Sequence, residues 1–150
     1  MANSQSLGLV FSTAEMHDRI TEYVAQQLKA QGYADVSPST LNFLSALDCG
    51  INYGSDIARR LQVSRQMVAK TVKELCSLGY LEQRPGKGKQ KPIRFTVAGE
   101  QLMANVRAIL AHLDERLHEQ VGEAALSEAI ATLEAIVAVV TTELQGEHHR

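Results

Sequence analysis

The side chains of this chain that could bind a ligand by charge are concentrated in one segment. Ten of its 15 lysines and arginines lie between Arg59 and Arg94, with only two of its 17 acids, Glu74 and Glu82. This basic block has a net charge of +8, and the rest of the chain has −10. Lysines and arginines that displace counterions from phosphates supply most sequence-independent affinity for nucleic acids. The block therefore predicts an acidic partner.

Composition narrows both the class of protein and the kind of partner. A length of 150 residues with 45% apolar composition favours one domain with an ordinary core. Trp is absent and aromatics make up 5%, so single strands find few stacking platforms and duplex DNA is the better candidate. The apolar run Leu7–Phe11 is too short for a signal peptide or a membrane span, so we expect a cytoplasmic protein without a membrane partner.

The spacing of reactive side chains favours neither catalysis nor metal binding. No nucleophile–base pair or phosphate-binding Gly-rich loop is visible, and Asp114 and Glu115 diverge on a helix, so we predict no enzyme, no catalytic residue and no cofactor. His112 and His118 are six residues apart and face different sides of a helix, which favours solvated histidines over zinc ligands and predicts no metal site.

The two cysteines, Cys49 and Cys76, form no disulfide framework and no metal spacing, which fits a reducing compartment. A redox sensor is one interpretation of them. We favour two buried, inert thiols.

The basic block spans two predicted helices joined by a short turn. Residues 55–61 form a compact helix, 62–64 a tight turn, and Ser64 is the N-cap of a further helix that runs to about Ser77 and stops at Gly79. A short turn followed by a basic helix is typical of a helix-turn-helix. In projection, this second helix has a packing side of Val68, Val72 and Leu75 and an opposite polar side of Gln66, Lys70, Lys73 and Ser77.

A β-hairpin is predicted directly after the helix-turn-helix. Residues 80–84 and 93–96 have strand character, and the loop between them is rich in Gly, Pro and Lys. The loop is too long for a two-residue turn, so we expect a mobile, cationic wing.

Four more helices frame this lobe. Ser12–Glu15 has the pattern of a capping box for a first helix that ends near Gly32, and Ser37 caps a second helix that closes near Gly50. Thr96 can cap a long fifth helix. The sixth has heptad spacing, which indicates packing along its whole length, either in the monomer core or, as we favour, in a dimer. The expected interface residues are Ile20, Val24, Leu126, Ile130, Leu133, Val137, Val140 and Leu144.

In this order of elements the chain resembles the MarR family of bacterial winged-helix transcription regulators. The similarity is most specific in residues 55–68, continues through 72–75 and 78–82, and includes the exit from the wing at 94–100. It implies a mainly α fold in one domain over 1–150. A winged helix-turn-helix with a two-stranded β wing would occupy about 37–97, and the terminal helices, about 12–34 and 98–146, would form a dimerisation region.

The resemblance implies an obligate homodimer that binds a pseudo-palindromic operator as a sequence-specific regulator of transcription, in our interpretation a repressor. It also implies a pocket for a small effector, which we expect to be aromatic or phenolic. Our hypothesis is that the first, second and fifth helices line this pocket, and we assign no individual residues to it. Two positions depart from the family pattern. The loop 86–91 has lysines but lacks the usual acid, and Gln62 stands where Gly is frequent. A winged helix that binds an acidic protein is the alternative.

We predict a division of labour among the DNA-binding residues. Gln66 suits adenine, Lys70 suits guanine, and Arg65 could bind a base or a phosphate from the helix start. Ser64, Lys73 and the wing lysines should bind phosphates. The whole predicted set is Ser64, Arg65, Gln66, Lys70, Lys73, Arg84, Lys87, Lys89 and Lys91.

Overall fold

The structure is a computed structural model, and it describes residues 4–83 and 91–147. Within these ranges the elements follow the predicted order of helices around one hairpin. They are α1 (Gln5–Ala30), α2 (Pro38–Asp48), α3 (Gly54–Leu61), α4 (Arg65–Ser77), β1 (Leu81–Gln83), β2 (Ile93–Phe95), α5 (Val97–Gln120) and α6 (Glu123–Glu147). The predicted fold class, mainly α with a winged helix, is confirmed.

Side-chain caps at three helix starts agree with the sequence. Ser37, Ser64 and Thr96 each precede a helix, and each hydroxyl oxygen accepts a hydrogen bond from the amide three residues later, at 3.3, 3.0 and 3.1 Å. Such a bond satisfies one of the amides that the first helical turn leaves without a partner. The predicted starts of α2, α4 and α5 are therefore confirmed.

The predicted start of α1 is wrong. The helix begins at Gln5, and the Ser4 hydroxyl accepts a hydrogen bond from the amide of Leu7 at 3.2 Å. The presumed cap, Ser12, lies inside the helix, where the neighbouring Thr13 hydroxyl donates to the carbonyl of Leu9 at 2.6 Å. Hydroxyl side chains can bond backward to the preceding turn as well as cap, so the pattern alone did not distinguish the two positions.

Gln62 adopts the left-handed conformation in the turn between α3 and α4. Its φ is 55°, the one positive φ of a non-glycine residue in the described ranges. The turn is closed by a hydrogen bond from the amide of Val63 to the carbonyl of Ala58 at 3.0 Å. A side chain in this conformation costs about 1–2 kcal/mol relative to glycine. Gln62, which departs from the family pattern, is thus accommodated by a left-handed backbone conformation.

The chain forms two compact units, residues 1–109 and 110–150. The core of the first unit contains residues from α1, α2, α3, α4, both strands and the first half of α5. The strands pair antiparallel with Glu82 opposite Arg94, and the amide of Ile93 donates to the carbonyl of Asn52 at 2.8 Å, which ties the hairpin to the segment before α3. Among the described residues, the largest fully buried side chains are Leu28, Leu44, Ile57, Leu75, Ile93, Leu102 and Met103.

The second unit contains the rest of α5 and all of α6. Gly122, with a φ of 97°, ends the turn that joins them. No residue of α6 whose side chain is described is buried, and the helix is long and apolar enough over Glu123–Gly146 to cross a membrane by those two criteria alone. Large exposed apolar surfaces of this kind are typical of protein–protein or membrane interaction sites.

Candidate nucleic-acid interface

The orientation of α4 is the one that the sequence predicts. Val68, Val72 and Leu75 are buried in the core of the first unit, which also contains Ile57 of α3. The opposite side, formed by Gln66, Lys70, Lys73 and Ser77, is exposed. We call these four residues the polar face of α4. The helix therefore packs on one side and presents long polar side chains to solvent on the other.

The first turn of α4 combines helix geometry with positive charge. Arg65 and Gln66 are exposed. The Ser64 hydroxyl oxygen accepts a hydrogen bond from the amide of Met67, so its own hydrogen can still be donated to a phosphate oxygen. The positive end of the helix dipole adds to this preference for an anion. The hydroxyl hydrogen of Ser64 is therefore available for the predicted contact with a phosphate.

The cations of α4 are not neutralised by nearby acids. Among the described residues, no ion pair within 4.0 Å involves Arg65, Lys70 or Lys73. In α3, by contrast, Arg59 lies 3.4 Å from Asp56. Exposed lysines and arginines without a counterion in the protein release condensed counterions when they meet phosphates. The arrangement suits a polyanion.

Two clefts flank α4. The first, of about 350 Å³, lies between α4 and the start of α2 and is lined by residues that include Thr40, Phe43, Met67, Val68, Lys70 and Thr71. The second, of about 420 Å³, lies between α4 and the hairpin and is lined by residues that include Ser55, Arg65, Ala69, Lys73, Gln83 and Ile93. Both clefts are lined by apolar and polar side chains, and α4 contributes residues to each.

The structure describes only part of the wing. Lys91 is exposed, and the carbonyl oxygen of Lys91 accepts a hydrogen bond from the side-chain amide of Gln83 at 3.5 Å. The predicted DNA contacts of Arg84, Lys87 and Lys89 concern residues outside the described ranges.

A hydrogen-bonded junction that sequence reasoning missed joins α4 to α5 through the hairpin. The Thr96 hydroxyl donates to the carbonyl of Gly79, which follows α4, and accepts from the amide of Gly99 in α5. The Thr96 amide donates to the carbonyl of Tyr80 at 3.0 Å. The Tyr80 hydroxyl in turn lies 3.4 Å from the carboxylate of Asp35. The sequence signal for this junction was limited to a Gly three residues after a capping Thr.

Three solved structures show what this arrangement is similar to. A MarR transcriptional regulator from Methanosarcina mazei superposes with a TM-score of 0.75 at 15% identity, over 95% of this chain and 94% of that one. The Staphylococcus aureus MepR–DNA complex gives 0.68 at 18% identity, over 93% and 99%. A MarR-family regulator from Rhodococcus sp. RHA1 gives 0.71 at 16%, over 90% and 96%. No protein-family model and no curated protein matches the sequence.

The chain has the fold of the MarR-family transcription regulators. The resemblance that the sequence suggested is therefore confirmed for the fold, over nearly the whole length of the chain and of these structures. In this MarR fold, α3 and α4 form the helix-turn-helix, and β1 and β2 form the base of the wing.

The predicted burial of the two cysteines of the MarR fold needs correction. Cys49 is exposed, not buried, because it is the C-cap of α2 and lies beyond the helix face that enters the core. Cys76 is half-buried, and burial raises the pKa of its thiol above its ordinary value of 9.0. A thiol with a raised pKa contains less of the reactive thiolate at neutral pH, which agrees with the inert character predicted for Cys76.

The predicted dimerisation residues fall into different environments. Val24 is 4% exposed in the single chain, because it belongs to the core of the first unit, so its assignment to a partner surface is corrected. Ile20, Leu126 and Leu133 are half-buried. The remaining four, Ile130, Val137, Val140 and Leu144, are all more than half exposed.

The first turns of α1 add a surface that the sequence did not indicate, because the predicted helix began too late. Leu7, Val10 and Phe11 are each more than half exposed and share one side of the helix. Once the true start of α1 is known, their three- and four-residue spacing indicates an apolar stripe.

Proposed function

We propose that this protein is a sequence-specific, double-stranded DNA-binding transcription regulator that acts as a homodimer on a pseudo-palindromic operator. One observation carries the proposal: α4 exposes Arg65, Gln66, Lys70 and Lys73, and among the described residues none of these three cations forms an ion pair within 4.0 Å. The DNA bound to MepR, a protein of similar fold, supports the same conclusion.

In this proposal, α4 enters the major groove with its polar face toward the bases. Gln66 and Lys70 can form hydrogen bonds to adenine and guanine edges, respectively, and Arg65 can reach a base or a phosphate. Ser64, Lys73 and the wing fix the register on the backbone. Two copies of α4 about 34 Å apart would occupy successive major grooves on one face of the duplex, which requires an inverted repeat.

The proposed dimer rests on exposed apolar residues of α6 and the first turns of α1. A membrane span would also cover α6, but Glu134 lies in the middle of the apolar stretch. A charged side chain at the centre of a membrane helix costs about 2.5–3.5 kcal/mol on insertion scales. A second copy can instead cover one side of α6 while Glu134 stays in water. We therefore propose a cytoplasmic dimer.

We further propose that the protein represses transcription and responds to a small aromatic or phenolic effector. A repressor needs only to occupy an operator that overlaps a promoter. An effector would act by its different affinities for a DNA-competent and a DNA-incompetent dimer, and it can shift their populations by no more than that difference. The support for these two statements is the family resemblance, and adding effectors during operator selection tests the second.

Selection of bound genomic fragments by the purified full chain tests the DNA-binding proposal. We expect enrichment of an inverted repeat, and weaker enrichment when aromatic or phenolic acids are added. On the enriched operator, Lys73→Ala should bind more weakly and with a shallower salt dependence, because Lys73 is the proposed phosphate contact of α4. Lys29→Ala, which removes an exposed lysine from α1 outside the basic block, is the matched control.

The result that would overturn the proposal is equal binding of operator and scrambled duplex at every salt concentration. A winged helix that binds an acidic protein would give that result, because its basic face would bind DNA by charge alone.

Analytical ultracentrifugation tests the dimer. We expect the full chain to sediment as a dimer and the double variant Val137→Glu/Val140→Glu to dissociate, since both charges would enter the apolar interface. Thr142→Glu places the same charge on the opposite side of α6 and should leave the dimer intact. Dissociation by Thr142→Glu alone, or a wild-type monomer, would contradict the proposed interface.

A further inference from the structure

An exposed apolar pair lies at the start of α4, within the surface that is otherwise polar and cationic. Met67, in the first turn, is 54% exposed, and Val63, in the turn before it, is 39% exposed. Met67 is the one large apolar side chain of α4 that is exposed, and α4 is described from end to end. The other large apolar residues of the helix are in the core.

Local hydrogen bonds fix the position of Met67. Its amide donates to the Ser64 hydroxyl oxygen at 3.0 Å, and its carbonyl accepts from the Thr71 hydroxyl at 3.0 Å. Met67 lines the 350 Å³ cleft, whose lining also includes Val63 and Lys70. Met67 therefore has a defined place beside the polar face, although its apolar side chain gains little from packing within the chain.

The angular position of Met67 on α4 would place its side chain beside the bases that Gln66 and Lys70 contact. At about 100° per residue, Met67 is displaced from Gln66 by about 100° and from Lys70 by about 60° around the helix axis. When the polar face points into the major groove, a side chain displaced in this way lies toward one wall of the groove. A long, unbranched methionine can bend from there to reach a base edge.

We propose that Met67, supported by Val63, contacts the C5 methyl group of a thymine adjacent to the bases bound by Gln66 and Lys70. This inference rests on the proposed function and adds a specificity-determining residue to it. The thymine methyl is the apolar group that the major groove of unmodified DNA offers, and apolar side chains read it by contact. Met67 thus selects thymine at one position in each half-site.

Replacing thymine with deoxyuridine tests the contact, because it removes the methyl group and leaves the base pairing unchanged. Each thymine of the selected operator is replaced in turn, and the affinity of the full-length dimer is measured by fluorescence anisotropy. Burying one methyl-sized group contributes about 0.8 kcal/mol, which corresponds to about a fourfold loss of affinity at the contacted position. Replacement in both half-sites should give about a 15-fold loss, the product of the two single effects.

Variants at position 67 assign the methyl dependence to this side chain. We expect Met67→Ala and Met67→Gln to bind the thymine and uracil duplexes equally at that position, and Met67→Leu to retain most of the preference. Met16→Ala, which shortens an exposed methionine of α1, is the control and should leave the fourfold preference unchanged. Thermal unfolding of each variant confirms that the lobe is folded.

Two results would overturn the inference and separate it from the proposed function. Specific operator binding in which no thymine-to-uracil change weakens the wild type by as much as twofold would refute the methyl contact alone. An equal loss of affinity by wild type and Met67→Ala would refute the assignment to Met67. The absence of any enriched operator would refute the proposed function and this inference together.

Discussion

Gly99 should be intolerant of a single added methyl group. It lies in the first turn of α5, where its amide donates to the Thr96 hydroxyl, and its Cα faces the main chain of Tyr80. A Cβ added at this position would lie 3.0 Å from the Tyr80 carbonyl carbon, closer still to its oxygen, and 3.0 Å from Cδ1 of Phe95. Gly99→Ala is therefore the most direct test of how tightly α5 packs on the hairpin.

The expected magnitude follows from these distances. The added Cβ would clash most severely with the Tyr80 carbonyl oxygen, so α5 must move away from the Tyr80 main chain by more than about 1 Å to restore van der Waals contact. Overpacking of this kind costs about 1–3 kcal/mol, and a main-chain neighbour places Gly99→Ala toward the upper end. Replacing a helical glycine with alanine returns about 0.5–1 kcal/mol in backbone entropy. We expect a net loss of about 2 kcal/mol in the free energy of unfolding, the difference between these two terms.

Urea unfolding measures this loss, at one fixed protein concentration because the stability of the proposed dimer would depend on concentration. Gly8→Ala is the matched control: Gly8 lies within α1, and a Cβ added there would have no atom within 4 Å. The same substitution there should stabilise the protein by about 0.5–1 kcal/mol. A Gly99→Ala protein as stable as wild type would refute the close packing of α5 on Tyr80.

Three further perturbations have defined outcomes. Ser64→Ala removes the α4 cap and should destabilise the protein by about 1 kcal/mol in urea unfolding; an unchanged midpoint would refute the capping role. In single-cysteine variants, the Cys49 thiol should react with a disulfide reagent faster than Cys76, since Cys49 is exposed and burial raises the pKa of Cys76; the reverse order would contradict this. Burial, and then the charge of Asp35, raises the pKa of Tyr80 above 10.0 in the folded protein, so the contribution of Tyr80 to stability is present below pH 10 and is lost as the pH rises through the folded pKa. Tyr80→Phe should therefore reduce the loss of unfolding free energy at alkaline pH. Parallel curves of unfolding free energy against pH for wild type and Tyr80→Phe would refute the assignment.

Local sequence signals were sufficient to predict α4, the part of the fold that presents the candidate interface. The packing side of α4 followed from the spacing of Val68, Val72 and Leu75, and its start followed from Ser64. Both signals act within about four residues: helical periodicity and a capping hydroxyl. For this reason the polar face of α4 could be predicted residue by residue.

Contacts between distant parts of the chain could not be predicted in this way. The apolar spacing of α1 placed Val24 on a stripe, but a stripe does not say whether the same chain or a partner covers it. Likewise, no local pattern indicates how near Gly99 lies to Tyr80, because that distance depends on the hairpin bringing α5 back to the end of α4. Such contacts depend on which distant segments pack together, and local sequence patterns do not determine this.

The division of charge along the chain has a consequence for how the protein would meet DNA. The basic block is +8, and the remaining residues total −10. Since phosphates repel the acidic remainder and attract the block, encounters in other orientations are disfavoured before any base is contacted. Neutralising acids outside the block, for example Glu128→Gln with Glu143→Gln, should therefore raise affinity for scrambled duplex more than affinity for the operator. An equal gain for both would show that the acidic residues weaken binding without orienting it.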